Sequence, residues 1–191
     1  MARAGSPAQP SLFASAPPGL EFREEFVTGE EESALLAQIA GLPFLPFQFH
    51  GWTGNRETVS FGWRYDFSRA QLEPAPPIPQ FLQALRARAA TFAGLPAADF
   101  EQALVIRYQV GAGIGWHRDR PVFERVFGLS LLSPCVLRFR RRRGARFERF
   151  PLHAPRRSAY LLSGEIRDQW EHSIAPLQAP RYSITFRSRR R

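Results

Sequence analysis

The chain contains no lysine: all 26 basic residues are arginine. A GC-rich coding bias accounts for that choice without invoking function, but the charge still acts. With 17 acidic residues the net charge is +9, which favours polyanionic partners, nucleic acid first among them. There is one cysteine, Cys135, so an internal disulfide and a thiolate zinc cage are both excluded, and a reducing compartment suits the chain. No apolar run approaches the ~20 residues of a membrane-spanning helix. The start of the chain has Arg3 but no apolar h-region, so no secretory signal is read. No membrane association and a cytoplasmic location are the expectations.

The 191 residues are enough for one domain with a real hydrophobic core. Residues 1–18, rich in Ala, Pro and Ser, read as a disordered leader, which leaves a single domain over 19–191 and a monomer as the simplest state. Glu21 to Val27 alternates weakly, as a short strand does. Thr28-Gly29-Glu30-Glu31 has the form of a capping box, and Leu35, Leu36, Ile39 and Ala40 follow at helical spacing up to Gly41 and Pro43. Phe44 to Phe67 predicts extended chain with turns at Gly51, Gly54-Asn55 and Gly62. Residues 71–79, with four prolines, predict a loop. A second helix runs from about Pro79 to Phe92, with Phe81, Leu82, Leu85, Ala89 and Phe92 on one face and Gly94 after its end. From Phe100 onward the pattern changes to short strand-like runs at 101–109, 126–132, 135–140, 145–150, 158–162, 170–175 and 181–188. Strands recurring without long intervening helices indicate a sandwich or barrel, here a jelly roll backed by the N-terminal helices, an α+β chain.

Within that frame, Gly115-Trp116-His117-Arg118-Asp119 carries an imidazole and a carboxylate two positions apart. On an extended strand or its margin both face the same side. His172, in Trp170-Glu171-His172, lies 53 residues beyond Asp119. Two imidazoles and one carboxylate can occupy one face of an octahedral metal and leave three positions open, an arrangement suited to non-haem iron(II). Arg181 and Arg187 bound the segment Arg181-Tyr182-Ser183-Ile184-Thr185-Phe186-Arg187 and share one face of a strand. An arginine fork beside such a metal is a natural anchor for a dicarboxylate. His50 and His153 have no companion ligand at strand spacing and read as surface or packing residues. Gly111-Ala112-Gly113-Ile114-Gly115 lacks the spacing of a dinucleotide-binding loop. Cys135, in the apolar run Leu131 to Leu137, reads as core.

Three stretches in this order, Tyr108 to Asp119, Gly164-Glu165-Ile166-Arg167 leading to Trp170 and His172, and Arg181 to Arg187, resemble the AlkB family of iron(II)- and 2-oxoglutarate-dependent dioxygenases. The resemblance covers the chain from about Gly19 to Arg187. It implies a double-stranded β-helix core and iron held by His117, Asp119 and His172. It implies 2-oxoglutarate and O2 as co-substrates, with Arg181 on the distal carboxylate, Tyr108 hydrogen-bonding the co-substrate and Ser183 on the same strand. Arg187 matches a second arginine near the aspartate and the substrate. Ile106 stands where the family commonly has asparagine, so one expected hydrogen bond is missing. Asn55-Arg56 to Phe61-Gly62 and Tyr65 resemble the family's substrate-lid region.

The activity implied is oxidative demethylation of alkylated bases in DNA or RNA, on single strands or flipped bases. Trp52, Phe61, Trp63 and Tyr65 are candidates for stacking on a base. Arg140 and Arg141, with Arg138 and the rest of the run to Arg143, are candidates for phosphate contacts from a hairpin turn before Gly144. Two other readings stay open: a hydroxylase or demethylase acting on protein or a small molecule, and an inactive basic module that binds nucleic acid.

Overall fold

The computed structural model describes residues 16–49 and 52–191, without the side chains at 48, 49 and 52–54. Most of the expected leader, His50, Gly51 and the Trp52 side chain therefore lie outside the described residues. At the leader's end the expectation is corrected: the Pro17 carbonyl accepts from Leu20 and the Pro18 carbonyl from Ile166, so both prolines are tied to the body of the fold.

In chain order the elements are β1 (Leu20–Arg23), α1 (Gly29–Ala40), β2 (Leu45–Phe49), β3 (Trp52–Phe61), β4 (Trp63–Asp66), β5 (Gln71–Pro74), α2 (Gln80–Phe92) and β6 (Phe100–Tyr108). Then follow β7 (Ile114–His117), β8 (Phe123–Leu131), β9 (Cys135–Arg143), β10 (Arg146–Ala154), β11 (Ala159–Leu162), α3 (Gly164–Gln169), β12 (Glu171–Ile174) and β13 (Arg181–Arg189). A seven-stranded major sheet has the order β1-β11-β8-β13-β6-β3-β2, and a four-stranded minor sheet the order β10-β9-β12-β7. All the pairings are antiparallel. The small β4–β5 pair stands apart from both.

The two-residue period of a strand sorts the major sheet into two cores. Val105, Phe127, Leu129, Ile184 and Phe186 pack with Leu35 and Ile39 of α1 and Leu82, Leu85 and Ala89 of α2. Their neighbours on the same strands, Ile106, Tyr108 and Val126, pack with Leu137, Phe139 and Ile174 of the minor sheet. The layers are helices, major sheet, minor sheet, the expected jelly roll backed by N-terminal helices. No helix among the described residues is long and apolar enough to cross a membrane.

Local signals mostly acted as expected. Thr28 caps α1: its side chain accepts from the Glu31 amide at 3.1 Å, and Glu31 accepts from the Thr28 amide at 2.8 Å. The exceptions have physical causes. Gly54-Asn55 makes no turn: β3 continues through it at an irregularity in its pairing with β2, between Thr53 opposite Gln48 and Glu57 opposite Pro46. Residues 71–74 form a strand rather than a loop, paired with β4. The arginine run is strand, not turn; β9 extends to Arg143, and the chain reverses after it at Gly144, where φ is +58°. Gly62, with φ +74°, turns β3 into β4, and a Cβ there would collide with the Glu101 carbonyl. Any side chain at 62 would therefore force this turn away from the start of β6.

One charge belongs to the core. Glu32, on the buried stripe of α1, has no exposed surface. It accepts from the Leu132 amide at 2.8 Å and from Arg156 and Arg157 at 2.6 and 3.4 Å. Leu132 has φ +71°, so this carboxylate pins a left-handed residue in the turn between β8 and β9. Burial opposes the charge, but Arg156, the Leu132 amide and Arg157 outweigh it and hold the carboxyl below the usual glutamate range. Glu32→Ala should cost about 2–4 kcal/mol in urea unfolding. Because the folded-state pKa is depressed, the wild-type contribution is complete above the unfolded value and lost as pH falls through the folded one. The gap between wild type and Glu32→Gln should therefore narrow on acidification; a constant gap would mean the carboxylate is not the source.

Candidate metal centre

The register of the minor sheet brings the two histidines together. His172 on β12 is directly opposite His117 at the end of β7, and the rings are 4.3 Å apart between centroids. Asp119 follows two residues later, beyond the strand, with Oδ2 3.8 Å from His172 Nε2. Its other oxygen accepts from Arg187 Nη2 at 3.2 Å. Gly113 lets the approach to β7 run close under β12, since a Cβ there would lie 2.7 Å from the Ile174 carbonyl. His117 Nδ1 is 2.9 Å from the Gly115 carbonyl. Donation to that oxygen leaves Nε2 as the free acceptor, the usual arrangement behind a metal-binding imidazole.

Electrostatics favour unprotonated donors. Burial, and then the neighbouring His117, lower His172 to about 3. Burial pushes Asp119 the other way, but Arg187 and the two histidines outweigh it and hold the carboxyl well below the usual range. Metal ligands must be deprotonated to bind, and at neutral pH these two are. Among the described residues no group of three His, Cys, Asp or Glu side chains is arranged closely enough to hold a metal ion as it stands, and Asp119 has one oxygen engaged by Arg187. The donor set of two imidazoles and one carboxylate nevertheless fits an iron(II) ion with open positions.

A cavity of about 40 Å³ opens beside these residues, between the sheets, with Ile106, Tyr108, Tyr160 and Ser183 on its wall. One water needs about 10–15 Å³ by the same measure, so the space exceeds a single solvent site. Arg181 lies behind this wall, 1% exposed. Its Nε donates to Ser130 at 3.2 Å, and its guanidinium lies 5.1 Å from the Tyr108 ring centroid. Its Nη1 and Nη2 are buried without a hydrogen-bond partner among the described residues. A buried guanidinium with two open donors is costly until an anion meets it. A carboxylate of a small dicarboxylate has the right charge and fork geometry.

Each sequence candidate can now be placed. His117, Asp119, His172 and Arg187 converge, and Tyr108 and Ser183 share their cavity. Ile106 is apolar in that wall; Tyr160 and Thr185 bring two further hydroxyl-bearing side chains to it. Tyr160 gave no signal in sequence, where it is one aromatic in a short apolar strand. Burial pushes its phenol far up, so it can act only as a neutral donor or acceptor. Arg167 was also missed as a functional residue. It is buried and donates to the Arg120 and Phe123 carbonyls, which clasps the loop after Asp119. Cys135 is core as expected, and burial raises its thiol.

Two substrate candidates are corrected. Phe61 is 8% exposed and packs on the helix side of the major sheet, away from the cavity. Arg141 is committed to Glu148 at 2.7 Å and Glu165 at 2.6 Å. Arg140 is bonded to Glu171 at 2.7 Å on the opposite face of the sheet. Trp63 is half-buried beneath Arg189, 4.7 Å from its ring. Tyr65 reaches the residue after Asp119: the Arg120 guanidinium lies 4.8 Å from Tyr65 and 4.9 Å from Phe67. Phe47 completes the cluster, 5.3 Å from Phe67 and stacked by Arg56 at 3.7 Å.

Residues 46–187 match the family model described as the 2OG-Fe(II) oxygenase superfamily. The chain is 31% identical over 150 residues to the alpha-ketoglutarate-dependent dioxygenase AlkB of Escherichia coli K12, covering 72% of this chain and 66% of that one. It is 30% identical over 172 residues to the Xenopus tropicalis tRNA (carboxymethyluridine(34)-5-O)-methyltransferase alkbh8, covering 86% of this chain and 26% of the relative. An Arabidopsis thaliana relative, the alkylated DNA repair protein ALKBH8 homolog, is 28% identical, with 82% and 51% covered. The chain thus spans between about a quarter and a half of these two longer relatives. The structure of OsALKBH1 superposes with a TM-score of 0.69 at 14% identity, covering 92% of this chain and 99% of the other.

Replacing Arg181 separates a structural from a ligand-binding role. Arg181→Met removes a buried charge whose outer nitrogens are unpartnered, so stability in the absence of ligand should stay within about 1 kcal/mol of wild type or rise. The thermal stabilisation by 2-oxoglutarate should vanish. A large loss of ligand-free stability would show that the guanidinium is held for the fold alone.

Proposed function

Because this chain belongs to the 2OG-Fe(II) oxygenase superfamily, in its AlkB-like group, we propose that it removes alkyl groups oxidatively from bases of nucleic acid. It is an oxidoreductase that uses Fe(II), with 2-oxoglutarate and O2 as co-substrates. In this reading a single domain over 19–191 works as a monomer in the cytoplasm, on single strands or on a base turned out of a duplex.

His117, Asp119 and His172 hold the iron. Arg181 receives the far carboxylate of 2-oxoglutarate, with Tyr108, Ser183 and the added hydroxyls of Tyr160 and Thr185 around it in place of the contact that Ile106 cannot make. Iron with its two co-substrates supplies the power to insert oxygen into a C–H bond. The protein's own contribution is positional. Arg187, bonded to Asp119, fixes that carboxylate and keeps it ionised. The Gly115 carbonyl orients His117. Ile106, Leu137 and Ile174 supply an apolar part of a wall that is also lined by polar groups, which limits stray water at the reacting carbon. When that carbon is a methyl on a base nitrogen, its hydroxylated form releases formaldehyde and restores the base.

The observation that carries the nucleic-acid reading is the aromatic and arginine cluster around Arg120, the residue after Asp119. Phe47, Tyr65 and Phe67 with Arg56 and Arg120 present flat rings and cations together, which is what a base and its phosphate require. The relatives named for DNA repair and for tRNA agree with it. The test is formaldehyde release from methylated single-stranded DNA and RNA, with methylated peptides as the contrast. Asp119→Ala should abolish release and leave nucleic-acid affinity within about twofold, since the carboxylate faces the metal rather than the strand. Retained turnover would remove Asp119 from the metal site, and release from peptides alone would replace the substrate class.

A further inference from the structure

We infer that the outer face of the minor sheet docks the phosphate backbone of single-stranded nucleic acid, as a second contact surface away from the reaction centre. The inference rests on the nucleic-acid reading above.

The strand period divides the arginine run. Arg141 turns toward Glu148 and Glu165, while Arg138, Arg140 and Arg142 alternate onto the opposite, outer face of β9. On β10, Arg149 stands opposite Arg140, and Phe147 opposite Arg142. On the other side of β9, Glu171 of β12 is also opposite Arg140. The outer face therefore holds four arginines on two neighbouring strands. Among the described residues only Arg140 of the four has a carboxylate within ion-pairing reach, Glu171. Arg138 donates to the Ser173 hydroxyl and Arg149 to the Phe147 carbonyl. Arg138, Arg142 and Arg149 are exposed. Many arginines elsewhere are neutralised, Arg64, Arg107, Arg157 and Arg190 each meeting a carboxylate, while the exposed Arg23, Arg118 and Arg146 that also lack one do not gather on one face with an aromatic ring. Like charges facing each other across strands repel, so a face left in this state is stabilised by an external anion.

Two aromatic rings organise these charges. Arg138 and Arg140 lie 5.3 and 4.3 Å from the Trp116 ring centroid, and Arg140 lies 4.6 Å from that of Phe147, with Arg142 and Arg149 at 5.7 Å. A guanidinium stacked on a ring has its orientation set while its edge N–H groups remain available, so less entropy is lost when a phosphate arrives. The partner is a nucleic-acid strand rather than an acidic peptide because of where the face leads. The order β10-β9-β12-β7 ends at the strand that presents Trp116 outward and His117 inward. A strand entering the cavity mouth at β7 would cross Trp116 first, then the arginines of β9 and β10, over about 15 Å at the usual strand spacing.

The test compares wild type with the triple variant Arg138→Gln, Arg142→Gln, Arg149→Gln, all three exposed and none bonded to the metal-site residues. Fluorescence anisotropy of a labelled, unmethylated oligo(dT) of about twelve residues should show affinity at least about tenfold weaker in the variant. The slope of log affinity against log salt should flatten by about 2, at about 0.7 for each phosphate no longer neutralised. Equal affinity and slope in the two proteins overturn the inference. So does a poly-glutamate peptide that binds wild type as tightly as the oligonucleotide and is weakened equally in the variant. If the triple variant fails to fold, Arg142→Glu alone, at a side chain with no hydrogen bond among the described residues, must still weaken binding. A methylated trinucleotide is too short to span the face, so its formaldehyde release should be unchanged in the variant. No release from it by wild type would remove the demethylase reading, whereas the anisotropy decides the face by itself.

Discussion

Strand β13 runs between β6 and β8, with Ile184 opposite Val105 on one side and Leu129 on the other. That register is the constraint on which the site depends. Ile184 and Phe186 sit in the helix-side core. The alternate residues Arg181, Ser183, Thr185 and Arg187 must then face the interior of the sandwich. A slip of one residue would exchange the two sets, leaving an arginine against the helices and a phenylalanine against the metal residues. The apolar half of the strand thus specifies where its polar half points. The energy that positions the site comes from the packing of α1 and α2 against the far side of the same sheet.

The chain's exclusive use of arginine is visible inside as well as on the surface. Three guanidinium groups are buried or nearly so around the cavity, each in a different way. Arg187 is paired with Asp119, Arg167 donates through Nη2 to two backbone carbonyls, and Arg181 keeps both outer nitrogens open. An ammonium could not take these roles equally: it is more strongly hydrated and has no planar fork, and burial would shift its pKa readily. The open donors of Arg181 are an unfavourable feature of the ligand-free fold, retained where binding can offset it.

The proposed metal residues could be singled out because their chemistry is rare in combination, and residue types survive in a sequence whatever the fold does. What brought them together was not legible. His117 and His172 are adjacent only through the pairing of β7 with β12, and the register of strands far apart in sequence is set by the rest of the sandwich. Phe61 was misread for a related reason: on a strand whose other described side chains are exposed or only partly buried, composition does not say which face looks at the cavity. The run Arg140 to Arg143 read as a turn because four arginines carry no apolar alternation, although the pleat separates them all the same. Helix α3 spans six residues, too few for a helical period to appear. The capping box of α1 and the stripe of α2 were read correctly because both are local.

The minor sheet shows how one period can serve two surfaces. On β7, His117 turns inward to the metal residues and Trp116 outward beneath Arg138 and Arg140. On β12, His172 turns inward and Glu171 outward to Arg140. Neighbouring residues on two paired strands therefore belong to the cavity and to the outer face. A thin sheet without helices on its outer side can do this because neither face needs to be wholly apolar; the major sheet, covered on both sides, cannot. The fold places its stability in the layer between the helices and the major sheet, and leaves the minor sheet free to carry charge on one side and the proposed metal residues on the other.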